Sequence, residues 1–305
     1  MRKTWRSLAA LLLAFGLLAA ACGDDSDDGG SEATSGGGGG TQTGEGGGEC
    51  PDPLPLKQDG VLTVATGEPA FPPWVEGPES DETGEGDPYS GEGFESALVY
   101  AIAEQLGIEE DSVEWVRTGF DEAIAAGETD YDFNIQQFGI TPQRDEVVDF
   151  SDGYYTVQQA IVGAEDGEIA DATSLADLQG FQLGAAIGTT SLDYIEQVIQ
   201  PDSEPLVFDD NAAAKAAFDA GQVDGIVFDL PTAYYITAVE IPNSSIVGVL
   251  PATGDAEELG MLFEEGSPLV PCVNEALAAL EEDGTLAALQ EEWLQAGGDI
   301  PTLEE

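Results

Sequence analysis

The sequence predicts an α/β fold of two successive units, on three observations. From Val61 onward, apolar runs of strand length alternate with apolar residues at helical spacing. The alternation restarts after Tyr155, which divides the strands and helices into two series. Hydrophobic residues make up 42% of the 305, enough to build a core despite a formal net charge of -54.

In the first series, Val61 to Thr66 reads as a strand, and Phe94, Ala97, Leu98, Ala101, Ile102 and Leu106 follow helical spacing up to Gly107. A strand at Val113 to Arg117, a short helix at Asp121 to Ala126 and a strand at Asp132 to Gln136 complete it. Strands separated by helices imply parallel pairing by crossover. The second series has strands at Gln158 to Val162, Phe181 to Ile187, Leu206 to Phe208 and Gly225 to Asp229. Helices are predicted between them near Ser174 to Leu178, Ser191 to Ile199 and Asn211 to Ala220. Asp210 or Asn211 is suited to cap the last of these and Gly221 to end it. Helices at Ser267 to Glu281 and Gly284 to Leu294 close the chain.

Composition excludes several functions. Lys and Arg number 7 against 61 Asp and Glu, a surface that repels nucleic acid and anionic lipid. With no His, His-based triads and imidazole zinc sites are excluded. No metal or cofactor is expected. Arg2, Lys3 and Arg6 precede an uncharged run from Leu8 to Ala21, right for a signal-peptide core and short for a membrane span. Small residues before Cys22 resemble the lipobox of bacterial lipoproteins, giving a signal peptide at 1–21 and a lipidated Cys22. Residues 22–50 then form a tether rich in Gly, Ser and acids. With Cys22 lipidated, Cys50 and Cys272 remain, and outside the cytoplasm they are expected to pair as a disulfide rather than stay as two thiols. Loss of the signal leaves four cations, Lys57, Arg117, Arg144 and Lys215.

Several residues suit the binding of a small charged molecule. Gly188-Thr189-Thr190-Ser191 opens a helix after a strand, and exposed amides with hydroxyls there can receive an anion; a capped helix without a ligand is the other reading. Arg144 lies beyond the strand at Asp132 to Gln136, as the partner either of a ligand carboxylate or of Asp145, Glu146 or Asp149. Asp229 ends a strand and is placed either to cap the next helix or to receive an ammonium group. Phe71 to Trp74 form an apolar loop, with Trp74 read as core, and Phe120 opens a helix.

Together these residues carry a resemblance over Val61 to Leu294. Phe71-Pro72-Pro73-Trp74, Gly93-Phe94-Glu95, Ile140-Thr141-Pro142-Gln143-Arg144, Val148-Asp149-Phe150-Ser151 with Tyr154-Tyr155, Gly188-Thr189-Thr190, and Asp224 to Asp229 match, in order and spacing, the solute-binding family 3 of polar amino acid ABC transporters. The resemblance implies a two-lobed type II periplasmic binding protein fold, each lobe a mixed sheet flanked by helices, joined by two hinge crossovers. Lobe 1 would comprise 51–156 and 253–305 and lobe 2 157–252, with hinge strands near Thr156 to Gln158 and Gly248 to Thr253. It implies that Arg144, Thr189 and Thr190 hold a ligand α-carboxylate, Asp229 its α-ammonium, and Phe71 and Phe120 flank its side chain. Gln136, Gln137 and Gly139 stand where the family often has Ser or Thr hydroxyls, so Gln137 and Gly139 are placed at the site, and Glu68 lies near a carboxylate position of relatives with basic ligands.

The implied role is that of a lipid-anchored, extracytoplasmic, monomeric receptor that delivers an amino acid to an ABC permease and is not an enzyme. Two alternatives are a cyclohexadienyl dehydratase-like enzyme on the same scaffold and a sensor module without transport.

Overall fold

The computed structural model describes residues 50–77, 86–125, 127–254, 256–294 and 300–305. The signal segment, Cys22 and most of the tether lie outside these residues. Along the chain the strands are β1 (Leu62–Gly67), β2 (Val113–Thr118), β3 (Phe133–Asn134), β4 (Val148–Phe150), β5 (Tyr155–Val157), β6 (Gln159–Ala164), β7 (Leu183–Ala186), β8 (Leu206–Phe208), β9 (Gly225–Asp229), β10 (Ser244–Val249), β11 (Glu257–Leu259) and β12 (Leu262–Glu264). The helices are α1 (Phe94–Gln105), α2 (Phe120–Ala123), α3 (Leu175–Leu178), α4 (Thr190–Tyr194), α5 (Asn211–Asp219), α6 (Leu230–Tyr235), α7 (Val270–Glu282) and α8 (Thr285–Trp293).

One sheet has the order β2-β1-β3-β12-β4, with β1 parallel to β2 and β3, and β12 antiparallel to β3 and β4. Every residue of β1 is buried, as a central strand covered on both faces requires. Leu62 and Val64 of β1 join Leu98 and Ile102 of α1, Phe133, Phe263 and Val273 and Leu277 of α7 in one core. The other sheet has the order β10-β6-β9-β7-β8, with β7 parallel to β8 and β9, and β6 antiparallel to β9 and β10. Strand alternation splits its apolar residues between two cores: Ile161 and Val227 face one way, and Ala160, Val162, Ile226 and Phe228 the other.

The parallel pairs follow the predicted crossovers. The antiparallel pairs make both sheets mixed, as the resemblance implies, whereas strand-and-helix alternation alone gave only the parallel ones, and β4, β11 and β12, at three residues each, carry no period of their own. The expected strand from Asp132 to Gln136 is reduced to Phe133–Asn134. Helix α4 continues as a π-helical turn at Ile195–Ile199, ended by Gln200 in the left-handed region at φ 51°.

β5 follows β4 of the first sheet and precedes β6 of the second, while β11 follows β10 and precedes β12, so both connections between the sheets run through the antiparallel β5–β11 ladder. The second connection leaves β10 after Val249, within the Gly248 to Thr253 stretch, and runs on to β11 at Glu257. Within 253–305, the stretch the resemblance assigns to the first sheet's lobe, the tail at 301–304 packs on the second sheet. Leu303 sits in a core of the second sheet, its amide donates to the Val249 carbonyl at 2.9 Å, and the Leu175 amide donates to the Glu304 carbonyl at 2.8 Å. Burial of Leu303 against Gly248, whose missing side chain leaves the space, draws the tail there. Cys50 and Cys272 of α7 form a disulfide.

Candidate functional site

Open α/β sheets present ligands at the carboxyl ends of their strands. Here the loops after β1, β2 and β3 in one sheet and after β7, β8 and β9 in the other line a common cleft of about 620 Å³. Its wall includes eight of the residues singled out in the sequence: Glu68, Phe71, Phe120, Gln137, Arg144, Thr189, Thr190 and Asp229. Gly139 is not on that wall and contributes from beneath it.

Arg144 is buried, and its bonds are to backbone. Nη1 donates to the Gly139 carbonyl at 2.6 Å and Nη2 to the Gly188 carbonyl at 2.8 Å, which belongs to the loop after β7. Its guanidinium carbon lies 5.3 Å from the centroid of the Phe120 ring, and that ring stacks on Phe138 at 4.9 Å. Phe120 therefore supports the arginine as well as lining the cleft. Burial lowers the Arg144 pKa, opposed by the charges of Glu257, Asp193 and Asp229. The acidic neighbours Asp145, Glu146 and Asp149 do not ion-pair with it. Gly188 takes φ 73°, a left-handed turn that suits glycine and brings its carbonyl to the guanidinium.

The helix start behind Gly188 uses its hydroxyls locally. The Thr189 hydroxyl donates to the Ala186 carbonyl at 2.8 Å and accepts the Leu192 amide at 3.1 Å, capping α4. Thr189 can therefore act on a ligand through its backbone more readily than through its side chain.

Opposite Arg144, Asp229 ends β9 across from Gln159 of β6. The Gln159 Nε2 donates to Asp229 Oδ1 at 2.7 Å and to Glu257 Oε2 at 3.2 Å, and approaches the Thr190 hydroxyl at 3.4 Å. The Ser191 hydroxyl donates to Gln159 Oε1 at 2.5 Å, which fixes the amide with its NH2 toward the carboxylates. Burial, followed by the charge of Glu257, pushes the Asp229 carboxyl up to about 7.

A second buried carboxylate holds the wall on the side of the first sheet. Glu95 Oε1 accepts the Gln137 amide at 2.8 Å and the Tyr154 hydroxyl at 2.6 Å, and Oε2 accepts the Gln137 side-chain amide. Gln137 sits in the left-handed region at φ 52°, and these bonds hold it there. Burial pushes Glu95 up to about 7 against those bonds.

The remaining cations have structural partners: Lys57 pairs with Glu264, Lys215 with Glu240 at 2.8 Å, and Arg117 donates to the carbonyls of Gly67 at 2.8 Å and Gly86 at 2.7 Å, fixing the loop that carries Glu68 and Phe71. Trp74, expected as core, is buried among Phe94 and Tyr155, yet its Nε1 donates across the cleft to Thr232 Oγ1 at 2.8 Å.

The sequence reading gave no role to Glu95, Gln159, Thr232 or Glu257, and the Ser191 hydroxyl, read as one of the donors at the helix start, is spent on Gln159. Glu95 had a usable signal, a carboxylate between Phe94 and a helical apolar face. Gln159 and Glu257 had none, since their proximity arises from strand pairing and from the passage of β11 between the sheets. Among the described residues no helix is long and apolar enough to cross a membrane, and no cluster of three metal-ligating side chains occurs.

The profile of the bacterial extracellular solute-binding proteins, family 3, matches residues 76–296. The L-cystine-binding protein TcyJ of Escherichia coli (strain K12) is 28% identical over 252 residues, covering 80% of this chain and 86% of its own length. Among solved structures, an ancestral arginine-binding protein bound to arginine superposes with a TM-score of 0.64 at 31% identity, covering 77% of this chain and 99% of that one. The ancestral amino acid-binding protein AncCDT-1, described as a precursor of cyclohexadienyl dehydratase, reaches 0.63 at 30% identity, with 77% and 96% covered.

Proposed function

From the premise that this chain belongs to the bacterial extracellular solute-binding proteins, family 3, we propose that it captures a polar amino acid for an ABC importer. The observation that carries this reading is the opposition of one guanidinium and one carboxylate, Arg144 and Asp229, supplied to one cleft by two different sheets. Arg144, with the backbone at Thr189 and Thr190, takes the α-carboxylate, and Asp229 takes the α-ammonium. Phe71, Phe120, Glu68 and Gln137 border the ligand side chain. A zwitterion gripped from both sides stabilises the closed form by its excess affinity for it, with the β5–β11 ladder as the hinge. One lobe is built on the first sheet and the other on the second together with the tail at 301–304. Lipid on Cys22 and the tether behind it hold the receptor near its permease.

Calorimetry on protein refolded from denaturant tests this reading, with the twenty amino acids and cystine as ligands. One or a few α-amino acids are expected to bind, while their α-keto and decarboxylated analogues bind far more weakly. Equal binding of the analogues, or none by any amino acid, overturns it. Catalysis is the second reading, favoured by the likeness to the dehydratase precursor and by two buried acids raised to about 7. Turnover of prephenate or arogenate decides for it.

A further inference from the structure

Glu257 stands on β11, the strand that connects the two sheets, and its carboxylate meets residues from both. Its Oε2 shares the Gln159 amide with Asp229, at 3.2 Å against 2.7 Å. Its Oε1 is buried with no hydrogen-bond partner. A Cβ added to Gly139 would fall 2.5 Å from that Oε1 and 3.5 Å from Arg144 Nη1, so the carboxylate occupies space that only a glycine at 139 leaves open. Burying a carboxylate oxygen without a partner is costly, and so is placing two carboxylates on one amide. Such an arrangement draws positive charge, of which the Arg144 guanidinium supplies a part through its interaction with Glu257 and Asp229, while two of its donors are held by the Gly139 and Gly188 carbonyls.

We propose that Glu257 is a positioning residue for ligand capture: through the shared Gln159 amide it holds Asp229 in a two-carboxylate cluster with an excess of negative charge, which the ammonium group of the ligand neutralises. This rests on the assignment of the ligand ammonium to Asp229. Within the cluster, Asp229 takes up a proton in the free protein and gives it up when the ammonium arrives, so binding strengthens as pH rises. Burial and the charge of Glu257 raise Asp229, the Gln159 hydrogen bond and the Arg144 charge lower it, and the charge of Glu95 on α1 raises it further. Tyr155, which opens β5, and Tyr154 just before it feel the Asp229 charge but stay protonated in this range, since burial raises both. Asp193 of α4 faces Arg144.

The experiment is calorimetry with the tightest-binding amino acid of the screen at pH 5.5, 6.5 and 7.5, each in two buffers of different ionisation enthalpy, on the wild type, Glu257→Gln, Glu257→Asp and Glu95→Gln. In the wild type the affinity is expected to rise roughly twentyfold from pH 5.5 to 7.5 with release of up to one proton, as ionisation of a group near 7 requires. Because burial, the larger cause of the shift, stays in place, Glu257→Gln should reduce that rise at least twofold and reduce the proton release with it, and weaken binding at pH 7.5 more than at pH 5.5. Glu257→Asp should restore part of the slope, and Glu95→Gln should retain most of it. A uniform loss of affinity in Glu257→Gln with the slope intact, or a slope that disappears in Glu95→Gln alone, overturns the proposal while leaving amino acid capture standing. Absence of amino acid binding in the wild type overturns the capture reading itself, and this inference with it.

Discussion

Arg144 Nη2 donates to the Gly188 carbonyl at 2.8 Å, a bond from a loop of the first sheet to a loop of the second. Its other arm is held by Gly139, so the guanidinium is already oriented across the cleft, and a carboxylate arriving there meets it without a search through rotamers. Charge-assisted hydrogen bonds are worth ~1.5–3 kcal/mol each. Arg144→Ala should therefore weaken amino acid binding by about tenfold or more. Arg144→Lys should fall between, because an ammonium cannot reproduce two directed bonds. Wild-type affinity in the alanine variant, measured by calorimetry, would refute the carboxylate assignment.

The bond from Trp74 Nε1 to Thr232 Oγ1 is a second tie across the cleft, at 2.8 Å. Thr232→Val keeps the shape of the side chain and leaves the indole N–H without its acceptor, a loss of about 1–3 kcal/mol where the group stays buried. In the proposed capture between two lobes, that loss falls on the closed form. Ligand affinity should drop fivefold or more, and small-angle scattering of the free variant should give a larger radius of gyration than the wild type. If neither changes, the bond plays no part in closure.

Strands β1, β2 and β7 to β9 and the long helices were legible because each is a run of apolar residues with one period, bounded by Gly, Pro or acid. The short strands β4, β11 and β12 were not, since three residues establish no period; β8 is equally short and was placed by the predicted helices on either side of it. The cleft residues at the ends of parallel strands were legible for a similar reason: a charged or hydroxyl residue directly after an apolar strand stands out, as Asp229 and Thr189 do. Glu257 and Gln159 did not stand out. In a chain with 61 acids one more glutamate carries no signal, and what distinguishes Glu257 is its approach to Gly139, 118 positions earlier, visible only in three dimensions. The docking of Leu303 on the second sheet was hidden too, since nothing local distinguishes it from the helix-forming leucines before it.

The Cys50–Cys272 disulfide closes a loop of 222 positions between the start of the described chain and α7. Chain-entropy reasoning sets its worth at up to about 5 kcal/mol, with smaller values usual in practice. The double substitution Cys50→Ser and Cys272→Ser should lower the chemical denaturation midpoint with ligand affinity nearly unchanged, because the bond lies away from the cleft. Cys50, Leu54 and Leu106 border a separate hollow there. An unchanged midpoint in the double variant would mean that the bond contributes nothing to stability.

Glu95 makes stability depend on pH in a calculable direction. Its folded-state pKa, about 7, lies above the unfolded value of ~4.3 because burial disfavours the charge. Between these values the folded protein holds a proton that the unfolded chain has lost. The stabilisation is complete below the unfolded value and disappears as pH rises through about 7. Glu95→Gln replaces the carboxyl by a neutral group, provided that Gln137 turns its own amide to present oxygen to the new NH2. From pH 5 to pH 8 the variant should gain about 2–3 kcal/mol relative to the wild type, whatever the offset between them at pH 5. Asp229 is also raised to about 7 and remains in both proteins, so it cancels in the difference except for the minor part of its shift that the Glu95 charge causes. Urea denaturation at the two pH values measures that difference directly. A gap between the two proteins that does not change with pH would show that Glu95 is ionised throughout, and that its hydrogen bonds from Gln137 and Tyr154 outweigh its burial.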